Sequence, residues 1–240
     1  MKKVLLFDIE TSPNIGYCWG KYEQDIIKFV EERTVICFAY KWLNKKTVKA
    51  HSLRDMTPRQ LAVKLHSLFD DADVIVGHNG DAFDIKMSNS FFLLHGLAPN
   101  SPYKTADTLK IARSKFKFNS NKLNDLGQFL GLGKKVETGG FQLWLDCMAN
   151  KTRGWNKMIK YNKQDVVLLE EVYIKLRSWA TTTPNLVEKR GNICPTCGSN
   201  KVHHRGWNLT QTYKKQRLQC RECGRWFAGK KINHPKDKKK

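Results

Sequence analysis

Val4-Leu5-Leu6-Phe7-Asp8-Ile9-Glu10-Thr11 is an apolar run with two carboxylates, two residues apart, at its C-terminal end. A β-strand alternates its faces, so Asp8 and Glu10 project from the same side, about 6.6–6.8 Å apart along the backbone. Two anionic groups on one face of an apolar strand repel each other and lose hydration, a cost that a cation between them relieves. The competing reading is a polar strand end with Glu10 as a helix cap. The strand alone leaves both open.

The chain after this strand reads as a mixed sheet. Ser12-Pro13-Asn14 breaks the pattern, Ile15 to Gly20 predicts a short returning strand, and Lys21 to Arg33 predicts a loop near the acidic pair. The β-branched and aromatic run Thr34 to Trp42, then Asn44-Lys45-Lys46, then Thr47 to Ser52, reads as a hairpin, so the chain opens as an antiparallel meander. Pro58 starts a helix carrying Leu61, Leu65, Leu68 and Phe69 at helical spacing. Asp73 to Gly77 then predicts a buried strand parallel to the first, because a helix precedes it. A helix from near Ala82 to Gly96, a short strand from Tyr103 to Thr108, a helix to Lys115 and a short helix from Asn121 to Gly131 follow. Gly131 to Gly140 reads as a mobile loop. Trp155 to Trp179 is the longest helical pattern, with Met158, Tyr161, Asp165, Leu168, Leu169, Val172 and Leu176 on one stripe.

That stripe places a carboxylate on an apolar face. Tyr161 and Asp165 are one turn apart, so Asp165 points inward and needs a partner; the plain readings are a buried Lys or Arg, or a helix edge more exposed than the pattern suggests. A third acidic group lies in Gly77-His78-Asn79-Gly80-Asp81-Ala82-Phe83-Asp84. Here Asp81 is placed to cap a helix, and Asp84 can face the C-terminal edge of the sheet, where open α/β folds hold ligands.

Phe7-Asp8-Ile9-Glu10-Thr11, Gly77-His78-Asn79 with Phe83-Asp84, and Tyr161-Asn162-Lys163-Gln164-Asp165 together resemble the three motifs of the DEDD superfamily of 3′→5′ exonucleases. A Tyr four residues before the last Asp is the pattern of its DEDDy branch, which is DnaQ-like. The resemblance covers about residues 1–180, with Asp107-Thr108-Leu109 and Lys122-Leu123 similar to the middle region of that family. It implies an α/β, RNase H-like fold: a mixed sheet flanked by helices. It also implies that Asp8, Glu10, Asp84 and Asp165 hold two Mg2+ or Mn2+ ions that offset charge in phosphodiester hydrolysis. Tyr161 then orients the attacking water; with an ordinary pKa near 10 it is a poor general base. The resemblance further places the terminal nucleotide near Thr11, with His78 and Asn79 as supports behind the metal ligands or as phosphate contacts; a plain structural role is the competing reading for His78.

The second signal is Cys194-x2-Cys197 followed, after 22 residues, by Cys220-x2-Cys223, each pair ending in glycine. This resembles a zinc ribbon with one structural Zn2+; a disulfide or redox pair is the competing reading. Some 50 residues hold too little core to be stable unaided, a deficit that a structural metal makes up. Lys214, Lys215, Arg217 and Arg225, interleaved with aromatics, are candidate substrate contacts. The domain boundary falls at Thr181 to Asn185, giving a 1–182 nuclease domain and a 183–240 ribbon with a disordered Lys-rich tail.

Charge agrees with a polyanionic partner. The net charge is +21, of which residues 186–240 carry +12. No apolar run approaches membrane-spanning length, and no lipidation motif or signal peptide is visible, so the expectation is an intracellular, cytoplasmic protein with no membrane partner. The expected activity is a two-metal-ion 3′→5′ exonuclease on single-stranded or frayed DNA. The rivals are an RNA-directed exoribonuclease and a non-catalytic nucleic-acid-binding or recruitment protein whose ribbon contacts a protein.

Overall fold

The computed structural model describes residues 2–22, 25–133, 139–181, 183–187 and 191–233. Its central strand, β1 (Val4–Thr11), is buried through Phe7 and becomes half-buried at Asp8 and Glu10. β2 (Ile15–Tyr17) and β3 (Lys28–Glu31) form a two-stranded sheet of their own. The expected loop between Lys21 and Arg33 therefore contains a strand, and the expected returning strand is shorter and pairs with β3 instead of the main sheet. These strands carry no buried residue, so they lack the alternation between core and solvent by which a strand is recognised.

β4 (Val35–Trp42) and β5 (Lys49–Ser52) form the expected hairpin. Then come α1 (Pro58–Asp70), β6 (Val74–Gly77), α2 (Asp84–Leu94), β7 (Lys104–Asp107), α3 (Thr108–Lys115), α4 (Leu123–Phe129), α5 (Gln142–Met148) and α6 (Thr152–Leu176). The main sheet has the order β5-β4-β1-β6-β7. β1 runs antiparallel to β4 and parallel to β6, and β6 runs parallel to β7. Thr57 and Gln60 close a reciprocal capping box at the start of α1, with Pro58 in its first turn, which fixes where the crossover helix begins.

The sheet is covered on both sides. Leu5, Phe7, Ile9, Phe38 and Tyr40 pack against Leu61, Leu65 and Phe69 of α1 and Phe91 and Phe92 of α2. Cys37 belongs to a second cluster with Leu143 and Cys147 of α5 and Trp155 and Met158 of α6. This second layer carries the acidic stripe. α5 has no counterpart in the sequence reading: seven residues with two buried side chains are too few for a helical period to register. On α6 the expected stripe is buried, Asp165 included, and Tyr161 is half-buried. The helix opens three residues before Trp155 and closes three before Trp179.

One expectation near the site fails. α2 begins at Asp84 with Phe83 at its cap position, so Asp81 does not cap it. The Asp81 carboxylate pairs instead with Lys110 of α3 at 2.6 Å.

The chain divides into two compact units, one of residues 3–173 and one running from Ile174 onward together with Lys2. The second contains β8 (Val202–Leu209), β9 (Tyr213–Cys220) and β10 (Trp226–Asn233), an antiparallel sheet of order β10-β9-β8. The expected disordered tail at residues 235–240 lies outside the described residues, as do residues 134–138 of the expected mobile loop. No helix among the described residues is long and apolar enough to cross a membrane.

Candidate active site

Asp8 and Glu10 leave β1 on one side, level with Ala39 and Cys37 of β4. α6 brings Asp165 to them: one carboxylate oxygen from each of Asp8, Glu10 and Asp165 lies within 4.8 Å of the other two. Three carboxylates at this spacing repel strongly in a half-buried setting, and hard divalent cations that take oxygen ligands relieve it. The donor set therefore fits Mg2+ or Mn2+.

Asp84 stands apart from this trio but is tied to the same strand. Its Oδ1 accepts a hydrogen bond from the backbone N–H of Ile9, 3.3 Å away and midway between Asp8 and Glu10. The residue is 6% exposed. Burial, aided by the charge of Asp107, pushes its carboxyl up to about 6, against the pull of the Ile9 N–H.

The Tyr161 hydroxyl is hydrogen-bonded to Asp165. Burial, then the charges of Asp165, Glu10 and Asp8, holds it far above its ordinary value, so it stays protonated and acts as a donor. Complete burial, then the charges of Glu10 and Asp8, raises the Cys37 thiol well above its usual range, keeping it neutral.

Two residues that frame the site escaped the sequence reading of its chemistry. Asn162, fully buried on α6, donates from Nδ2 to Asp8 Oδ2 at 2.7 Å and to the Asp8 carbonyl at 3.2 Å. Its Oδ1 accepts from Cys37 Sγ at 3.9 Å. The available signal was its place three residues before Asp165 and four after Met158, which puts an amide on the apolar face. Asp107 caps α3 through the N–H groups of Leu109 and Lys110, and also accepts from the N–H groups of Asn79 and Asp81. It thereby fixes the turn that delivers Asp84. In that turn a Cβ on Gly77 would lie 3.0 Å from the Cα of Gly80, so the two glycines permit a close backbone approach.

The remaining expected contacts divide. Thr11 lines an open cleft of about 420 Å³ with Asn14, Arg33, Phe141 and Trp144, among others. Asn79 has an exposed side chain and a backbone φ of +64°. His78 is occupied within the fold: Nε2 donates to the Asn121 carbonyl and Nδ1 lies 2.9 Å from the Thr108 hydroxyl. Both ring nitrogens serve the structure.

In the second unit the sulfurs of Cys194, Cys197, Cys220 and Cys223 converge within 4.8 Å. Cys194 and Cys223, and likewise Cys197 and Cys220, have sulfurs 3.6 Å apart. That is far beyond a disulfide bond and close to the ~3.8 Å edge of a tetrahedron with 2.3 Å metal–sulfur bonds, so the set fits Zn2+. Gly198 and Gly224 adopt φ of +76° and +77°, and their N–H groups close onto the carbonyls of Cys194 and Cys220. Lys215 and Arg217 share one face of β9, whereas Lys214 lies on the other. Arg225 donates to the Ser178 carbonyl at 3.4 Å.

A family model of the RNase H superfamily matches residues 5–177. No curated protein matches. Among solved structures, the family B DNA polymerase from the hyperthermophilic archaeon Pyrobaculum calidifontis superposes with a TM-score of 0.56 at 17% identity, over 75% of this chain and 25% of the polymerase. The chain thus spans a quarter of that protein's length, and the likeness is one of fold. Strand order, acidic constellation and family match agree: the chain belongs to the RNase H superfamily.

Proposed function

We propose that this protein is a metal-dependent 3′→5′ exonuclease of the DEDDy type that removes nucleotides from single-stranded or frayed DNA ends. The observation that carries this reading is the convergence of Asp8, Glu10 and Asp165, with the Tyr161 hydroxyl bonded to Asp165. A nuclease function in the broad sense accords with the superfamily.

Asp8, Glu10, Asp84 and Asp165 are the residues that would hold two Mg2+ or Mn2+ ions. Such ions supply charge neutralisation to attacking and leaving oxygens in an in-line displacement. The chain's own part is positional. Tyr161, held protonated, orients a water by hydrogen bonding and does not abstract its proton. Asn162 fixes the Asp8 carboxylate toward its partners. Thr11 and the cleft beside it offer a seat for the terminal nucleotide, with the Arg33 guanidinium for phosphate and the Phe141 and Trp144 rings for the base.

Residues 1–182 form the nuclease domain in this reading, and residues 183–240 a ribbon held by one Zn2+ that binds the nucleic-acid strand. DNA is preferred to RNA by family analogy. The reading is tested by incubating 5′-labelled single-stranded DNA, duplex DNA and RNA with the purified protein and Mg2+ or Mn2+. Stepwise shortening of the single-stranded DNA is expected. A protein that binds strands and never shortens them is a binding factor.

A further inference from the structure

The two faces of the ribbon sheet differ in chemistry. β9 runs without a bulge, so Tyr213, Lys215, Arg217 and Gln219 share one face, and Lys214, Gln216, Leu218 and Cys220 share the other. Residues opposite each other in the ladder share a face, which adds Trp226, opposite Gln219, and Lys231, opposite Lys215, to the first. The second face holds buried Leu218 and the metal-site residue Cys220 and is inner at that end; at the other end it carries exposed Trp207, opposite Gln216, with Lys214 4.9 Å from its ring centroid.

The outer face pairs each ring with cations. Arg217 lies over Trp226, 5.3 Å from the ring centroid. Lys215 and Lys231 lie over Tyr213, at 5.2 and 4.3 Å. Trp226 is 46% exposed. A sheet face that carries aromatic rings and cations together offers stacking surface for bases and charge for phosphates. The charge is nearly all of one sign: residues 191–233 contain nine Lys and Arg and one acidic residue, Glu222, which pairs with Lys201 at 2.7 Å.

We infer that this outer face, with Trp226 and Tyr213 as stacking rings and Lys215, Arg217 and Lys231 as phosphate contacts, is a platform for single-stranded nucleic acid. A protein partner is the weaker match, since charge of one sign around the exposed Trp226 ring and the half-buried Tyr213 ring suits a polyanion with unpaired bases. Duplex ends offer few such bases. The inference deepens the reading of the ribbon as a strand-binding module and rests on it. It does not depend on the carboxylate site.

The test is binding, measured without hydrolysis. The zinc-loaded 240-residue chain, free of Mg2+ and Mn2+, is titrated against a fluorescent oligothymidylate over a series of salt concentrations. Trp226→Ala is expected to weaken binding about 5- to 150-fold, and Trp226→Phe to restore most of it. Lys215→Ala and Arg217→Ala each flatten the plot of log affinity against log salt by about 0.7, the share of one single-strand phosphate contact. Zinc content of each variant reports folding, and the exposed Arg217→Ala serves if Trp226→Ala loses its metal. The inference is overturned if Trp226→Ala and Arg217→Ala bind like the parent, or if duplex of equal length binds more tightly than single strand. Strand shortening with normal binding by the platform variants sinks the platform and leaves the nuclease standing; platform-dependent binding without shortening does the reverse.

Discussion

The amide of Asn162 grips Asp8 at two points, its carboxylate at 2.7 Å and its main-chain carbonyl at 3.2 Å. One side chain on α6 thus fixes both the orientation of a β1 carboxylate and the height of the helix over the strand. Asn162→Ala is expected to keep the fold but lower activity and Mg2+ affinity about 10- to 100-fold, as loss of a partner orienting a metal-binding group does. Single-turnover rates against Mg2+ concentration check this. Asn162→Asp adds a fourth negative charge beside the trio and is expected to be worse than Ala, which a loss of packing alone would not produce.

Tyr161 separates positioning from proton abstraction. Its hydroxyl, raised far above the ordinary value, stays protonated across the working range. Tyr161→Phe is expected to reduce the rate about 10- to 100-fold without moving the alkaline side of the pH–rate profile. An alkaline limb that vanishes in the variant would assign Tyr161 a titrating role and contradict this account.

Asp84 sets an acidic limit. Its carboxyl, near 6 in the fold, is above its ordinary value of 3.8, so the folded metal-free protein holds this proton more tightly than the unfolded chain. Stability from this group is therefore present below pH 4 and is lost as pH rises to about 6, on the order of 3 kcal/mol in all. A divalent cation offsets the loss by pairing with the ionised carboxylate. Added Mg2+ is thus expected to raise the melting temperature of residues 3–173 more at pH 7 than at pH 5; an equal effect at both would remove Asp84 from the metal site.

The four cysteines predict a metal-dependent fold in the second unit. Cys220→Ser is expected to release zinc and weaken strand binding while the rate of the chemical step at saturating substrate stays nearly unchanged. Zinc content by atomic absorption and a single-turnover rate measure the two effects. Full zinc retention would mean that Cys220 is not one of the ligands that hold the metal.

The parts of this site that follow from periodicity were legible before any coordinates. Asp8 and Glu10 share a strand face because the period is two, and Tyr161 and Asp165 share a helix face because four residues make about one turn. The parallel sense of β6 to β1 followed from the helix between them. Other features depend on contacts between distant segments. The grip of Asn162 on Asp8 spans 154 positions, and the two roles of Asp107 join a helix cap to a turn 26 and 28 residues earlier. For His78 the sequence left a structural role and a phosphate contact both open, and the partners that engage its ring, the Asn121 carbonyl and the Thr108 hydroxyl, lie 43 and 30 residues away. The faces of the ribbon were hidden by bulges between His204 and Trp207 and between Ala228 and Lys231, which shift the alternation that a sequence displays.

The most direct measurement is a time course on 5′-labelled single-stranded DNA with Mg2+, run beside Asp165→Asn. That variant keeps the size of a side chain 1% exposed while removing its charge from the trio. The account predicts a ladder of products shortened one nucleotide at a time from the 3′ end by the parent, and no ladder from Asp165→Asn. Internal cleavage by the parent, or an unchanged ladder from the variant, would contradict it.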